Sequence, residues 1–255
     1  LPILKKVLSL LAFGLMLTTT LSADFLRAEV GAGVWAHTPT GGLESSQSGA
    51  TGSDVSSETQ QAGGYAWLLV KHFVPVIPNL RLEYANVTSE GEAIGTFAGF
   101  SASAGKSTLE MTQYDIIPYY NILDNTFWLT LDLGIDLKMV NVDYSVAGVT
   151  LDNAVSGTEY DKVQMLPIPM VYVRTRLEIP MSDLAAEADV KYISYDSTTI
   201  YDARVKVDYT IDITPLIQPA IEVGYRVQKF ETGEAQDVDF KLDFAGIYAG
   251  LILRF

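Results

Sequence analysis

The sequence predicts an all-β chain: a transmembrane antiparallel up-and-down β-barrel of about 10 strands, with 8–12 as the range. Three observations lead there. Long segments alternate apolar and polar residues one for one, which gives a strand two unlike faces. Hydrophobic residues make up 48% of the chain and mean hydropathy is +0.19, yet no segment after residue 23 approaches the roughly 20 apolar residues of a spanning helix. The loops between alternating segments fall, in turn, into a long polar class and a short class.

The N-terminus supplies an address. Lys5 and Lys6 precede an apolar run from Val7 to Leu17, followed by the small-residue region Thr18 to Ala23. Charged start, short apolar stretch and small residues form the pattern of a secretory signal peptide. Residues 1–23 are therefore expected to be a cleaved signal peptide and residues 24–255 the barrel. The chain has no Cys, which fits an oxidising compartment and excludes disulfide staples. A formal charge of −14, more negative still once Lys5 and Lys6 leave, argues against nucleic-acid binding.

The clearest alternation begins at Phe127, with Leu129, Leu131, Leu133, Ile135, Leu137 and Met139 on one face and Trp128, Thr130, Asp132, Gly134, Asp136 and Lys138 on the other. A second begins at Tyr201, where Ala203, Val205, Val207, Tyr209, Ile211 and Ile213 oppose Asp202, Arg204, Lys206, Asp208, Thr210 and Asp212. Long polar loops are read at 38–62, 91–106 and 147–160, with shorter tips near 196–200 and 231–237. Short turns carry Pro or Asn/Asp at Val74–Asn79, Leu123–Thr126, Pro180–Asp183 and Thr214–Leu216. These divide the chain into strands at 24–37, 63–73, 80–90, 107–122, 127–146, 160–178, 185–195, 201–213, 219–230 and 238–255. An even count with both termini on the short-turn side is the pattern of bacterial outer-membrane barrels, so a Gram-negative outer membrane is the expected location. Pro167 and Pro169 interrupt the sixth strand. In the last, Phe240, Leu242 and Phe244 share one parity and Ile247, Leu251, Leu253 and Phe255 the other, which predicts a bulge near Ala245–Gly246.

Alternation alone does not say which face is outside, since a soluble lipocalin-like barrel has the same period with its faces reversed. Asymmetric loops and aromatics near strand ends (Phe25, Trp35, Phe73, Tyr119, Tyr120, Phe127, Tyr144, Tyr201 and Phe230) favour lipid outside. A Lys or Arg at mid-bilayer on the lipid face costs about 2–4 kcal/mol, so the charged residues belong in the lumen. The lumen-lining candidates are Asp132, Asp136, Lys138, Arg174, Arg176, Glu187, Asp189, Lys191, Arg204, Lys206, Glu222 and Arg226, with Arg27, Glu29, Lys71, Arg81, Glu83, Glu178, Asp208, Asp239, Lys241 and Asp243 in the same class. Mixed charges in so narrow a barrel form ion pairs that fill it, or line a narrow hydrated pore.

The C-terminal octet Tyr248–Phe255 resembles the recognition signal of outer-membrane barrels, in which an aromatic residue and a Gly precede alternating hydrophobics and an aromatic terminus. Tyr248, Gly250, Leu253 and Phe255 fit those positions. The resemblance implies that the barrel assembly machinery reads this strand. The barrel region also resembles a family of small uncharacterised proteobacterial outer-membrane barrels named for a Gly-Gly feature. The segments concerned are Ala23–Arg27 with Gly31–Trp35, His72–Tyr84, and the last strand. That resemblance implies no activity.

Catalysis is not expected. The chain has two histidines, and His37 and His72 fall at opposite ends of the barrel, too far apart for a shared catalytic or zinc site. No glycine-rich phosphate motif follows a strand and opens a helix. The expectation is a monomeric, porin-like outer-membrane barrel, non-enzymatic, with no cofactor and no metal, in a structural or narrow-pore role. The alternatives are an adhesin or receptor acting through the long loops, or a barrel hydrolase using His37.

Overall fold

The structure, a computed structural model, describes residues 26–45, 53–54, 60–74, 76–97, 100–147, 160–164, 167–195, 198–214, 217–231 and 238–255. The expected signal peptide lies outside them. The described residues form strands and turns, with no helix among them. The strands are β1 (Leu26–Ser45), β2 (Ser53–Asp54), β3 (Gln61–His72), β4 (Asn79–Phe97), β5 (Phe100–Thr126), β6 (Leu129–Ala147), β7 (Tyr160–Gln164), β8 (Ile168–Glu178), β9 (Leu184–Tyr195), β10 (Thr198–Thr210), β11 (Gln218–Glu231) and β12 (Val238–Arg254). Each long strand pairs antiparallel with the next, and β12 closes on β1 from Glu29↔Arg254 to Ser45↔Val238. β7 and β8 form one interrupted stave along β6, and β2 is a two-residue bridge between β1 and β4. The product is a closed ten-stranded transmembrane up-and-down barrel, in which the last strand pairs with the first.

Closure turns the alternation of each strand into an inside and an outside. On β6, Leu133, Ile135 and Leu137 are 37–55% exposed, while Asp132, Asp136 and Lys138 between them are fully buried. The same inversion holds on β10, where Val205, Val207 and Tyr209 face out and Arg204, Lys206 and Asp208 face in. Apolar residues on the outside and ions on the inside is the arrangement of a barrel solvated by lipid. Toward the loop end the outer face turns polar, at Thr88 and Glu90 on β4, Glu110 and Thr112 on β5, and Asn141 and Asp143 on β6. The strands there continue past the apolar band.

Several expectations change. No bulge interrupts β12: its pairing with both neighbours runs one to one through Ala245 and Gly246. Leu242 and Phe244 point inward and are 1% exposed, so the two apolar parities mark an inner and an outer face rather than a register break. Lys241 and Asp243 consequently stand on the outer face near the loop end, not in the lumen. Trp35, Tyr119 and Phe230, expected in the aromatic girdles, are buried in the interior, whereas Phe73, Tyr120 and Phe127 are exposed. Much of the polar sequence read as loop at 38–62 and 91–106 is strand, because β1, β4 and β5 pair well beyond the band. The turn expected at Leu123–Thr126 lies later. β5 continues to Thr126 through two register shifts, and Phe127 and Trp128 occupy the turn with φ of 52° and 66°. Two positive φ values fit the primed hairpin turn that follows strand twist. The sixth strand breaks at exposed Pro167, and β10 ends at Thr210 rather than 213.

Candidate functional site

The barrel interior is bridged from wall to wall. Lys191 on β9 reaches Glu83 on β4 at 2.6 Å and also bonds Asp115 on β5. Arg204 on β10 joins Glu83 at 2.6 Å and its ladder neighbour Asp189 at 2.8 Å. Tyr65 on β3 donates to Glu222 on β11 at 2.8 Å, and Lys206 holds the other oxygen of that carboxylate at 2.8 Å. Gln113 on β5 and Gln228 on β11 exchange amide bonds of 3.0 and 2.8 Å. None of these cross-links joins adjacent strands except Arg204–Asp189 and Lys206–Glu222, so the rest span the lumen rather than follow its wall.

The interior is layered. At the turn end, Arg254 bonds Asp208 at 2.7 Å, Glu29 at 3.2 Å and Thr210 at 2.6 Å. Arg174 joins Asp132 at 2.6 Å to Glu187 at 2.7 Å. In the middle, Arg226 grips Asp202 through two bonds of 2.9 and 2.6 Å, the fork geometry that makes Arg–carboxylate pairs strong. The Trp67 ring lies 4.9 Å from Arg81 and 4.8 Å from Lys206, and Trp35 lies 4.8 Å from Arg226, so aromatic faces cover cations that also hold carboxylates. Toward the loop end the filling becomes apolar, with Val87, Leu109, Met111, Val140, Phe230, Leu242 and Phe244 all at most 4% exposed. A cavity of about 10 Å³, room for one water, remains beside Trp67, Arg81, Glu187 and Lys206.

Small residues make room for the large interior rings. A Cβ on Gly31 would sit 2.4 Å from the Trp67 ring, and one on Gly250 would sit 2.3 Å from the Tyr65 hydroxyl. Glycine at these positions therefore lets Trp67 and Tyr65 lean over the β1–β12 seam toward Glu222.

All twelve lumen candidates lie buried inside the barrel: Asp132, Asp136, Lys138, Arg174, Arg176, Glu187, Asp189, Lys191, Arg204, Lys206, Glu222 and Arg226. Asp115, Asp202, Arg254, Gln113 and Gln228 share the interior without having been singled out. Asp115 was hidden because both faces of β5 are apolar around it, with Tyr114 and Ile116 outside and Ile117 and Tyr119 inside. Only its parity with Gln113 marked it. In the C-terminal octet, Tyr248 points inward and Leu253 outward. Gly250 lies at the inner seam, and the Phe255 backbone exchanges two hydrogen bonds with Ala28 on β1. His37 is fully buried, between the carbonyls of Trp35 and Thr88 at 3.2 Å each and against the Trp35 and Phe244 rings. His72 pairs with the Pro78 carbonyl in the first short turn, away from it. No group of three or more metal-ligating side chains occurs among the described residues.

No family model matches the chain, and no curated protein matches it. Among solved structures it is similar to the outer membrane protease OmpT from Escherichia coli, at 11% identity and a TM-score of 0.49, over 93% of this chain and 99% of that one. It is also similar to the outer membrane protein AlkL, at 12% identity and a TM-score of 0.34, over 92% and 94%. For Neisserial surface protein A the values are 11% and 0.30, over 91% and 97%.

Proposed function

We propose that this chain is a monomeric outer-membrane barrel whose interior is sealed to ions at rest, a structural protein rather than an open pore or an enzyme. The observation that carries the reading is the set of bonds crossing the lumen between non-adjacent strands, above all Lys191 to Glu83 and Asp115. Below them lies the Arg254–Asp208 layer, and above them the apolar layer around Phe244. A hydrated pore lined by the same charges would need a continuous gap, and the packing leaves about 10 Å³ beside the central pairs. The lipid partner is inferred from the outer band of Val205, Val223, Ile247 and Leu251, each about half exposed or more. A non-enzymatic role is supported by His37, whose ring nitrogens both face backbone carbonyls behind two aromatic rings.

Two experiments test this reading. The full-length chain, fractionated after expression in a Gram-negative host, is expected in the outer membrane, and proteoliposomes carrying it should not swell in arabinose. Recovery from the soluble fraction, or swelling like that of a general porin, contradicts it. The second concerns assembly. If the outer-membrane machinery recognises the last strand, deleting Phe255 reduces the heat-modifiable folded band several-fold in cells, while the chain still refolds in detergent. Unchanged levels in cells would remove the proposed signal.

A further inference from the structure

Asp136 is the exception in the paired interior. It is fully buried on β6, and neither carboxylate oxygen has a hydrogen-bond partner. The other nine buried carboxylates among the described residues each hold a Lys or Arg nitrogen at 2.8 Å or less.

The ladder explains why it is left over. Across one side Asp136 pairs with Met170 on β8. On the other, the pairs Ile116↔Leu137 and Tyr119↔Gly134 put Ile117 of β5 opposite it. Both flanking side chains are buried and apolar. The charged groups around it are Lys191 on β9, Asp115 on β5, Lys138 on its own strand and Glu83 on β4. Both lysines point elsewhere, Lys138 to Asp115 at 2.7 Å and Lys191 to Glu83 at 2.6 Å and to Asp115. Asp202 on β10, within 3.7 Å of both lysines, draws on the same charge. Among the described residues, the buried carboxylate left without a Lys or Arg nitrogen or any other hydrogen-bond partner is this one.

An isolated buried carboxylate is too costly to persist without compensation. We propose that Asp136 takes up one further unit of positive charge in the barrel interior, as a small monovalent cation or as a proton. The site stands apart from the question of conductance, since it needs only a folded barrel.

The test uses the full-length protein folded in detergent, with the unfolding midpoint read from the heat-modifiable band. Sodium chloride is compared with choline chloride at equal ionic strength, and pH 8 with pH 5. Native protein should gain at least ~2 °C, about 1 kcal/mol at this size, on one of the two exchanges. A gain with sodium over choline identifies a metal ion, and a gain with acid alone identifies a proton. D136N should lose that response, while D132N, which breaks an Arg174 pair, should keep it. A native protein indifferent to both exchanges, or a D136N protein that responds as the native does, overturns the proposal. Should D136N fail to fold, D136A is read in the same way. Failure of both variants to fold also overturns it, because removing an unmatched charge should not cost the fold.

Discussion

Lys191 shows what one interior residue must satisfy. Its ammonium has no exposure and bonds two carboxylates on the far wall. Such a pair adds little over an apolar isostere, but removing one partner strands charge in a dry interior. Lys191→Ala should therefore lower stability by about 3–5 kcal/mol, measured by urea unfolding of the folded band. A loss like that of an exposed pair such as Lys71–Asp124, about 1 kcal/mol or less, would mean that water already reaches the site. Gly31 gives a steric counterpart. Gly31→Val forces a side chain against the Trp67 ring and should cost about 1–3 kcal/mol by overpacking. Shortening the ring in the same chain, by Trp67→Leu, should recover part of that loss.

At the scale of the strand, legibility in the sequence follows from how unlike the two faces are. β6 and β10 were readable because one face is apolar and the other charged throughout the band. β12 misled because its inner face changes character, from Leu242 and Phe244 near the loop end to Tyr248 and then Arg254 at the turn end. An apolar layer inside the barrel looks, in sequence, like a shift of register. β5 hid Asp115 for the related reason that both faces from Tyr114 to Tyr119 are otherwise mostly apolar. Extension beyond the band was also illegible, since the polar outer residues of β4 and β5 read as loop until their long-range pairing is known. The interior side of the candidate site could be read from parity, whereas the identity of each partner could not, because the bonds cross between non-adjacent strands. The continuous register of β12 has a clean test in a chain without Cys. T40C and D243C, opposite each other beyond the expected bulge, should oxidise to a disulfide in the folded barrel. A bulge at Ala245–Gly246 would shift the pairing by one and move Asp243 to the other face, leaving the thiols free.

At the scale of the molecule, the barrel is an inverted globule, with an ion-paired and partly aromatic filling inside and an apolar band outside. The band implies that Val205→Arg, on the lipid face at 56% exposure, should destabilise the protein by about 2–4 kcal/mol in a bilayer. Folding yield into lipid vesicles would report that loss, and an unchanged yield would place the residue away from the hydrocarbon. The filling implies closure, and closure is the claim on which the functional reading turns. The most direct measurement is planar-bilayer conductance of the purified protein beside a Glu83→Ala/Lys191→Ala double variant, which deletes one cross-lumen bridge from both ends. The native protein should be electrically silent at moderate voltage, with the double variant passing discrete small currents. Steady discrete conductance from the native barrel would contradict the sealed interior.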